Sequence, residues 1–212
     1  MFANENSSKP VENKKSLQTK KSKQTICNAA IWCLDKYGYA ETSILRITQK
    51  AGVSRGALTH HFPSKENLIV ESVERLLQRA MTIGRREQNE EMNISDTIRA
   101  IWENLDSLQG RALVEVLIAS RTDTALNARI SQTLIKWNQT IGDNLLQDYR
   151  TRFDSNRPSD EEIVLLFEVC RTFFRGLLVQ KSFVENDHDL NKIAEKFIMI
   201  VTPYFTSRQP QP

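Results

Sequence analysis

From residue 22 onward the apolar positions of this chain keep helical spacing almost without interruption. Ile26, Ala29, Ala30, Cys33, Leu34 and Tyr37 recur at i, i+3, i+4, i+7, i+8 and i+11, a one-sided stripe that predicts a first helix over about 22–37. Gly38 follows, where a left-handed residue ends a helix at no steric cost. Thr42 or Ser43 then offers an N-cap to a short second helix whose Ile44, Ile47 and Ala51 share one face, and Gly52 closes it. Val53 returns toward the core, and Ser54 caps a third segment with Leu58 and Phe62 as its inner stripe. Pro63-Ser64 punctuates the chain. A long fourth helix follows, with Glu66 in its first turn and Leu68, Val73, Leu76 and Leu77 pointing inward.

The rest of the chain reads the same way. Helix five is expected near 95–108 (Ile98, Ile101, Trp102, Leu105) and, after a break at Gly110, helix six near 111–120 (Leu113, Val116, Leu117). A cap at Thr122 or Asp123 opens helix seven, which runs to about 149 with Leu126, Ile130, Leu134, Trp137, Ile141 and Leu145 in line. The polar stretches 83–93 and 154–159 are expected as loops. Ser159-Asp160-Glu161-Glu162 is a capping box for helix eight, 160–183. Helix eight is apolar nearly all round, with Glu168, Arg171 and Arg175 as exceptions, and helix nine, about 189–205, is similar, with Pro203 bending or ending it. A helix apolar on every side must be covered on more than one, which predicts burial of these two against a second copy. Phe173, Gly176, Leu177, Phe197, Val201 and Tyr204 are the expected interface, Gly176 permitting close backbone approach. The fold class is all-α, with about nine helices.

Composition changes this picture in two respects. Across 1–70, eleven Lys and Arg face five Asp and Glu, a net +6, so the remainder carries −3 within the overall +3. A basic N-terminal third on an acidic body suits a phosphate-facing module. Residues 1–21 are lysine-rich and poor in large apolar side chains. They are expected as an arm, either a plain tail or one whose Lys20, Lys21 and Lys23 approach DNA. Cys27, Cys33 and Cys170 lie inside apolar stripes and are expected as small buried hydrophobes. Three histidines, two of them adjacent, assemble no familiar metal-ligand spacing, so neither a metal nor a cofactor is predicted. No membrane span or secretory signal is expected, and the default location is cytoplasmic. No spaced nucleophile–base–orienter set is visible, which argues against an enzyme.

The candidate chemistry gathers at 42–65, two short helices with a tight break, a helix-turn-helix reading. The second of them leaves Arg55, Gly56, Ala57, Thr59, His60 and His61 outward, a small, polar and basic surface suited to a major groove. Arg55 can pair with a guanine edge, and Ala57 can offer a methyl contact to thymine. Ser54, Thr59, His60 and Lys65 suit phosphate, Lys65 together with the amides at the start of helix four. Thr42, Ser43 and Arg46 are secondary phosphate candidates.

At these residues a family resemblance appears. ILRITQKAGVSRGALTHHFPSKENLI, with the preceding ICNAAIWCLDKYGYAETSI, resembles the tetracycline-repressor (TetR/AcrR) family of one-component regulators over roughly the first third of the chain. The family usually has tyrosine where Thr59 stands, which keeps a hydroxyl here but loses its reach to phosphate. The resemblance implies a phosphate role for His61 and for Lys65, a helix-turn-helix domain over 22–67, and an effector and dimerisation domain over 68–212. It implies a homodimer, on double-stranded DNA with a palindromic operator, joined through the last two helices. It also implies a small, largely apolar or aromatic effector held between helices five and eight, with repression relieved through helix four. Candidate liners are Trp102, Leu105, Leu113, Val116, Leu117, Trp137, Ile141, Phe167, Cys170, Arg171 and Phe174. Arg171 has two readings: it pairs with Glu168 three residues before it, or it meets an acidic group on the ligand. A DNA-binding dimer with no effector, and an activator, are the alternative readings.

Overall fold

The computed structural model describes residues 14–86, 93–152, 157–183 and 187–206, and in them the chain is helical with no strand. The helices are α1 Lys14–Glu41, α2 Ile44–Ala51, α3 Arg55–His61, α4 Lys65–Arg86, α5 Ile94–Leu105, α6 Leu108–Ser120, α7 Thr124–Arg152, α8 Asp160–Gln180 and α9 Asp187–Thr206, with a 3-10 turn Lys181–Phe183 after α8. Capping decides most of the starts. Ser43, Ser54, Asn93, Ser107 and Ser159 each accept a hydrogen bond from the backbone N–H three residues on, as does Asp123 for α7.

Three expectations about element limits change. The first helix begins at Lys14 rather than near residue 22, so part of the expected arm is helical; residues 16–21 are exposed, and helix-forming Lys and Gln hold this turn without tertiary cover. The expected 83–93 loop starts later, since 83–86 continue α4; the rest of the arm, and 87–92 and 154–156 of the expected loops, lie outside the described residues. Gly38 does interrupt α1, at φ 72, and Thr42 N–H bonds back to its carbonyl. Gly110 does not break the chain but sits in the first turn of α6. A Cβ there would collide with the carbonyl oxygens of Asn104 and Leu105, so glycine lets α5 turn directly into α6.

The core forms three clusters. Ile26, Cys27, Ala30 and Cys33 of α1 meet Ile47, Leu58, Phe62 and Leu68, which fixes α2 and α3 against the start of α4. A second cluster joins Ile31 and Leu34 of α1 to Ile69, Val73, Leu76 and Leu77 of α4, to Leu113 and Val116 of α6, and to Leu126 and Ile130 of α7. The third packs α5, α8 and α9 around Ile98, Trp102, Phe167, Cys170, Phe174, Ile198 and Phe205. Because α1 and α4 belong to both of the first two clusters, the expected boundary at residues 67 and 68 divides one continuous apolar contact. Polar ties follow the same route. Asp35 receives Arg111 Nε at 2.6 Å, Arg111 also reaches Asp106, and Asp106 holds Lys181 Nζ at 2.9 Å, so charges run from α1 to the end of α8.

Candidate functional site

The α2–turn–α3 unit is built by the residues that the apolar pattern singles out. Ile47 and Leu58 are fully buried, Ile44, Ala51 and Val53 pack at the rim, and Gly52 takes the left-handed conformation (φ 65) that lets α3 double back. Burying Leu58 and Phe62 turns the opposite side of α3 outward. Arg55, Gly56, Ala57, Thr59 and His60 are exposed and His61 is half-buried, its ring edge-on to those of His60 and Phe62. Among the described residues Arg55 makes no ion pair or hydrogen bond through its side chain, so its guanidinium is free to meet an acceptor. Gly56 and Ala57 beside it keep the backbone close to whatever the helix approaches. Thr59 donates its hydroxyl to the carbonyl of Arg55 at 3.0 Å, so that proton is already spent within the helix.

Around α3 the cations are held in place rather than left loose. Lys50 Nζ lies 4.0 Å over the Trp32 ring and Arg46 4.4 Å over Tyr37, with the two rings edge to face. Arg46 also donates to the Glu41 carbonyl at 2.7 Å and pairs with its carboxylate. Ser43 and Ser54 are exposed, each with Oγ accepting a cap bond. Thr42 is placed otherwise than expected: it is 1 % exposed and donates to the Gly38 carbonyl at 2.7 Å, because the break in α1 needs a side-chain cap there. Lys65 donates to the Tyr39 carbonyl at 2.9 Å and lies 4.4 Å over its ring. Desolvation is the largest cause that pulls the Lys65 pKa below that of a free lysine, so an anion at this spot would be welcome.

The same segment is matched by comparison. Residues 26–71 fit the family described as bacterial regulatory proteins, tetR family. The chain is 23% identical over 166 residues to the biofilm operon icaADBC HTH-type negative transcriptional regulator IcaR of Staphylococcus epidermidis, covering 78% of this chain and 89% of that one. Over 49 residues it is 41% identical to the HTH-type transcriptional repressor AcnR of Corynebacterium glutamicum, 23% of this chain and 26% of that one. The fold is that of Salmonella enterica GusR, with a TM-score of 0.63 at 21% identity over 87% of this chain and 95% of the other. Residues 26–71 of the chain thus carry a DNA-binding domain of the TetR/AcrR type. The protein is a DNA-binding transcriptional regulator, not an enzyme.

In this regulator the expected effector liners do not surround one space. Trp102, Phe167, Cys170 and Phe174, with Leu105 at the edge, belong to the cluster of α5, α8 and α9. Leu113, Val116, Leu117 and Trp137 belong to the cluster of α1, α4, α6 and α7, and Ile141 is half-buried between them along α7. Trp102 donates its indole N–H to Asn191 at 3.1 Å, a tie to α9. A polar cleft of about 460 Å³ lies instead between α4 and α7, lined by Asn67, Glu71, Glu74, Arg75 and Arg129. Burial pushes the Cys170 thiol up to about 12, which makes it an inert core residue.

The apolar surplus of α8 and α9 is real, but part of its expected membership changes. Leu177 and Val201 are buried in the chain's own core. Phe173 and Phe197 stack on one another at 3.9 Å. Gly176 and Tyr204 do lie on the open side. With them stand Leu165 (62 % exposed), Val169, Val179 and Phe183 from α8 and its following turn, and Ile193, Met199 and Ile200 (56 %) from α9. Among the described residues no helix is long and apolar enough to cross a membrane.

Proposed function

We propose that this regulator is a ligand-responsive repressor that binds a palindromic operator as a homodimer. One observation carries the dimer: the uncovered stripe Leu165, Val169, Gly176, Val179 on α8 beside Ile193, Ile200 and Tyr204 on α9. A water-facing apolar surface of this extent on a charged protein calls for a partner, and two helices from each of two copies would cover one another. Two α3 helices related by a twofold axis would read half-sites about one turn (~34 Å) apart.

On each half-site we place Arg55 and Ala57 at base edges. Ser43, Ser54, His60, His61 and Lys65 would meet phosphate, with Arg46 nearby as a held charge; Thr59 keeps only its oxygen lone pairs for the task. Release would travel through α7. Its capping Asp123 accepts from Tyr39 at 3.3 Å, and its Arg129 donates to Asn67 at 3.0 Å, so α7 grips both the end of α1 and the first turn of α4. A ligand that favours a shifted α7 would change the spacing of the two α3 helices, and to act it must bind that state more tightly. Fluorescence anisotropy of the purified protein on a selected palindrome, and on one half-site alone, tests the reading. The palindrome should bind at least ~100-fold more tightly by avidity; equal affinity for the two would overturn it.

A further inference from the structure

Buried polar atoms nearly always find a partner. Among the described residues four side-chain atoms do not, and three of them stand on α7 and α8: Trp137 Nε1, Asn138 Oδ1 and Arg171 Nη1. The two helices run antiparallel, since Arg150 near the end of α7 pairs with Asp160 at the start of α8. Further along, a Cβ on Gly142 would lie 3.8 Å from Val164 Cγ1. The α8 stripe that faces α7 is therefore Val164, Glu168, Arg171 and Arg175, at i, i+4, i+7 and i+11. Asn138 precedes Gly142 by one turn on α7. Asn138 Oδ1 thus comes level with Glu168 and Arg171, whereas Trp137, about 140° round α7 from Gly142, packs with the cluster of α1, α4, α6 and α7.

The charges at this seam do not balance. Glu168 accepts from Arg171 Nε at 3.1 Å and also from its Nη2, while Arg175 Nη1 stands 3.7 Å from the other carboxylate oxygen. Two guanidinium groups share one carboxylate, and the carboxylate is the outermost member: its side chain is 42 % exposed against 8 % for Arg171. Burial also holds the Arg175 pKa below the ordinary arginine value. A buried cation left with a free N–H invites an anion, and guanidinium favours a planar acceptor with two oxygens. One surplus positive charge matches a carboxylate better than a phosphate dianion. Val164, half-buried beside Gly142, supplies an apolar neighbour for a carbon skeleton.

We propose that the α7–α8 seam is the effector site, and that the effector is an organic monocarboxylate with an aromatic or aliphatic body, its carboxylate bound by Arg171 and Arg175. This rests on the proposed ligand response and names its chemistry. The acid would displace Glu168 from the arginines, and the strain would fall on α7, the helix that holds Asn67 and Tyr39.

The test uses the full-length protein with benzoate, phenylacetate and octanoate, each beside its uncharged amide, by calorimetry and tryptophan fluorescence. At least one acid should bind, and at least ~10-fold more tightly than its amide. Arg175→Gln should weaken that binding by a similar factor with the circular-dichroism spectrum retained. Glu168→Gln should tighten it, because the competing carboxylate is gone; a merely structural Glu168 would leave acid affinity unmoved. Absence of binding by every acid, or equal binding in the wild type and Arg175→Gln, overturns the site. The regulatory reading fails separately. An acid that binds here without weakening operator affinity keeps the site and sinks the release mechanism. An amide that releases operator as well as its acid does the reverse.

Discussion

α3 and α8 each leave a face to solvent, and the two faces are chemical opposites. α3 exposes Arg55, Gly56, Ala57, Thr59 and His60; α8 exposes Leu165, Val169, Gly176 and Val179. Water tolerates the first without cost, so what it is for must be read from donor geometry and charge. The second is unfavourable in water in proportion to its area, at roughly 25 cal/mol per Å², so its exposure is itself the information. A polar face says what it can recognise. An apolar face says that something covers it.

The comparison sharpens when the inner and outer faces of α8 are struck separately. Phe174 is fully buried against Trp102 and Phe197, so Phe174→Ala should cost about 3–5 kcal/mol of stability. Thermal denaturation read at a fixed protein concentration checks this. Ile200→Glu, on the uncovered face of α9, should leave the protomer folded and yield monomers in sedimentation, with operator affinity reduced on the order of 100-fold through lost avidity. An intact dimer in that variant would assign the apolar face to some other partner. Leu177→Glu is not a substitute, because it would place a carboxylate in the core and confuse the two faces.

Leu177 also marks where the sequence stops being legible. On a helix that is apolar all round, the stripe facing its own core (Phe167, Cys170, Phe174, Leu177) and the stripe facing outward (Leu165, Val169, Val179) differ by two residues, about 200° of rotation. Residue type alone cannot say which is which. The helix-turn-helix was readable because its helices are one-sided: Ile47, Leu58 and Phe62 can only point one way, and Gly52 and the Ser43 and Ser54 caps mark the ends. Long-range polar choices were not readable. Nothing local announces that Lys65 finds the Tyr39 carbonyl 26 residues back, or that Thr42 turns in to Gly38. The effector liners failed to converge for a related reason. An apolar stripe on α5, α6 or α8 fits a cavity wall and a filled core equally well, and here packing fills most of it.

Arg55 tests the polar face. Its guanidinium is the one large donor on α3 with no intramolecular tie through its side chain among the described residues, so Arg55→Ala should cost about 1–3 kcal/mol on the preferred operator and relax base preference at one position per half-site. Anisotropy on operators permuted at single positions reads this directly. A uniform loss on all sequences would move Arg55 from base to phosphate.

Lys65→Ala should have the smallest effect and is the most discriminating. Its ammonium spends one N–H on the Tyr39 carbonyl and lies over the Tyr39 ring, which leaves donors at the mouth of α4 and a charge partly stripped of water. If those donors meet a phosphate, losing them should flatten the salt dependence of operator binding by about 0.9 for each contact removed, with affinity falling evenly across sequences. If the lysine only struts the end of α1 against α4, the slope will stay as it is while the melting temperature drops. The titration thus separates two roles that one geometry permits. An unchanged slope would reduce the polar face to α3 and its flanking serines.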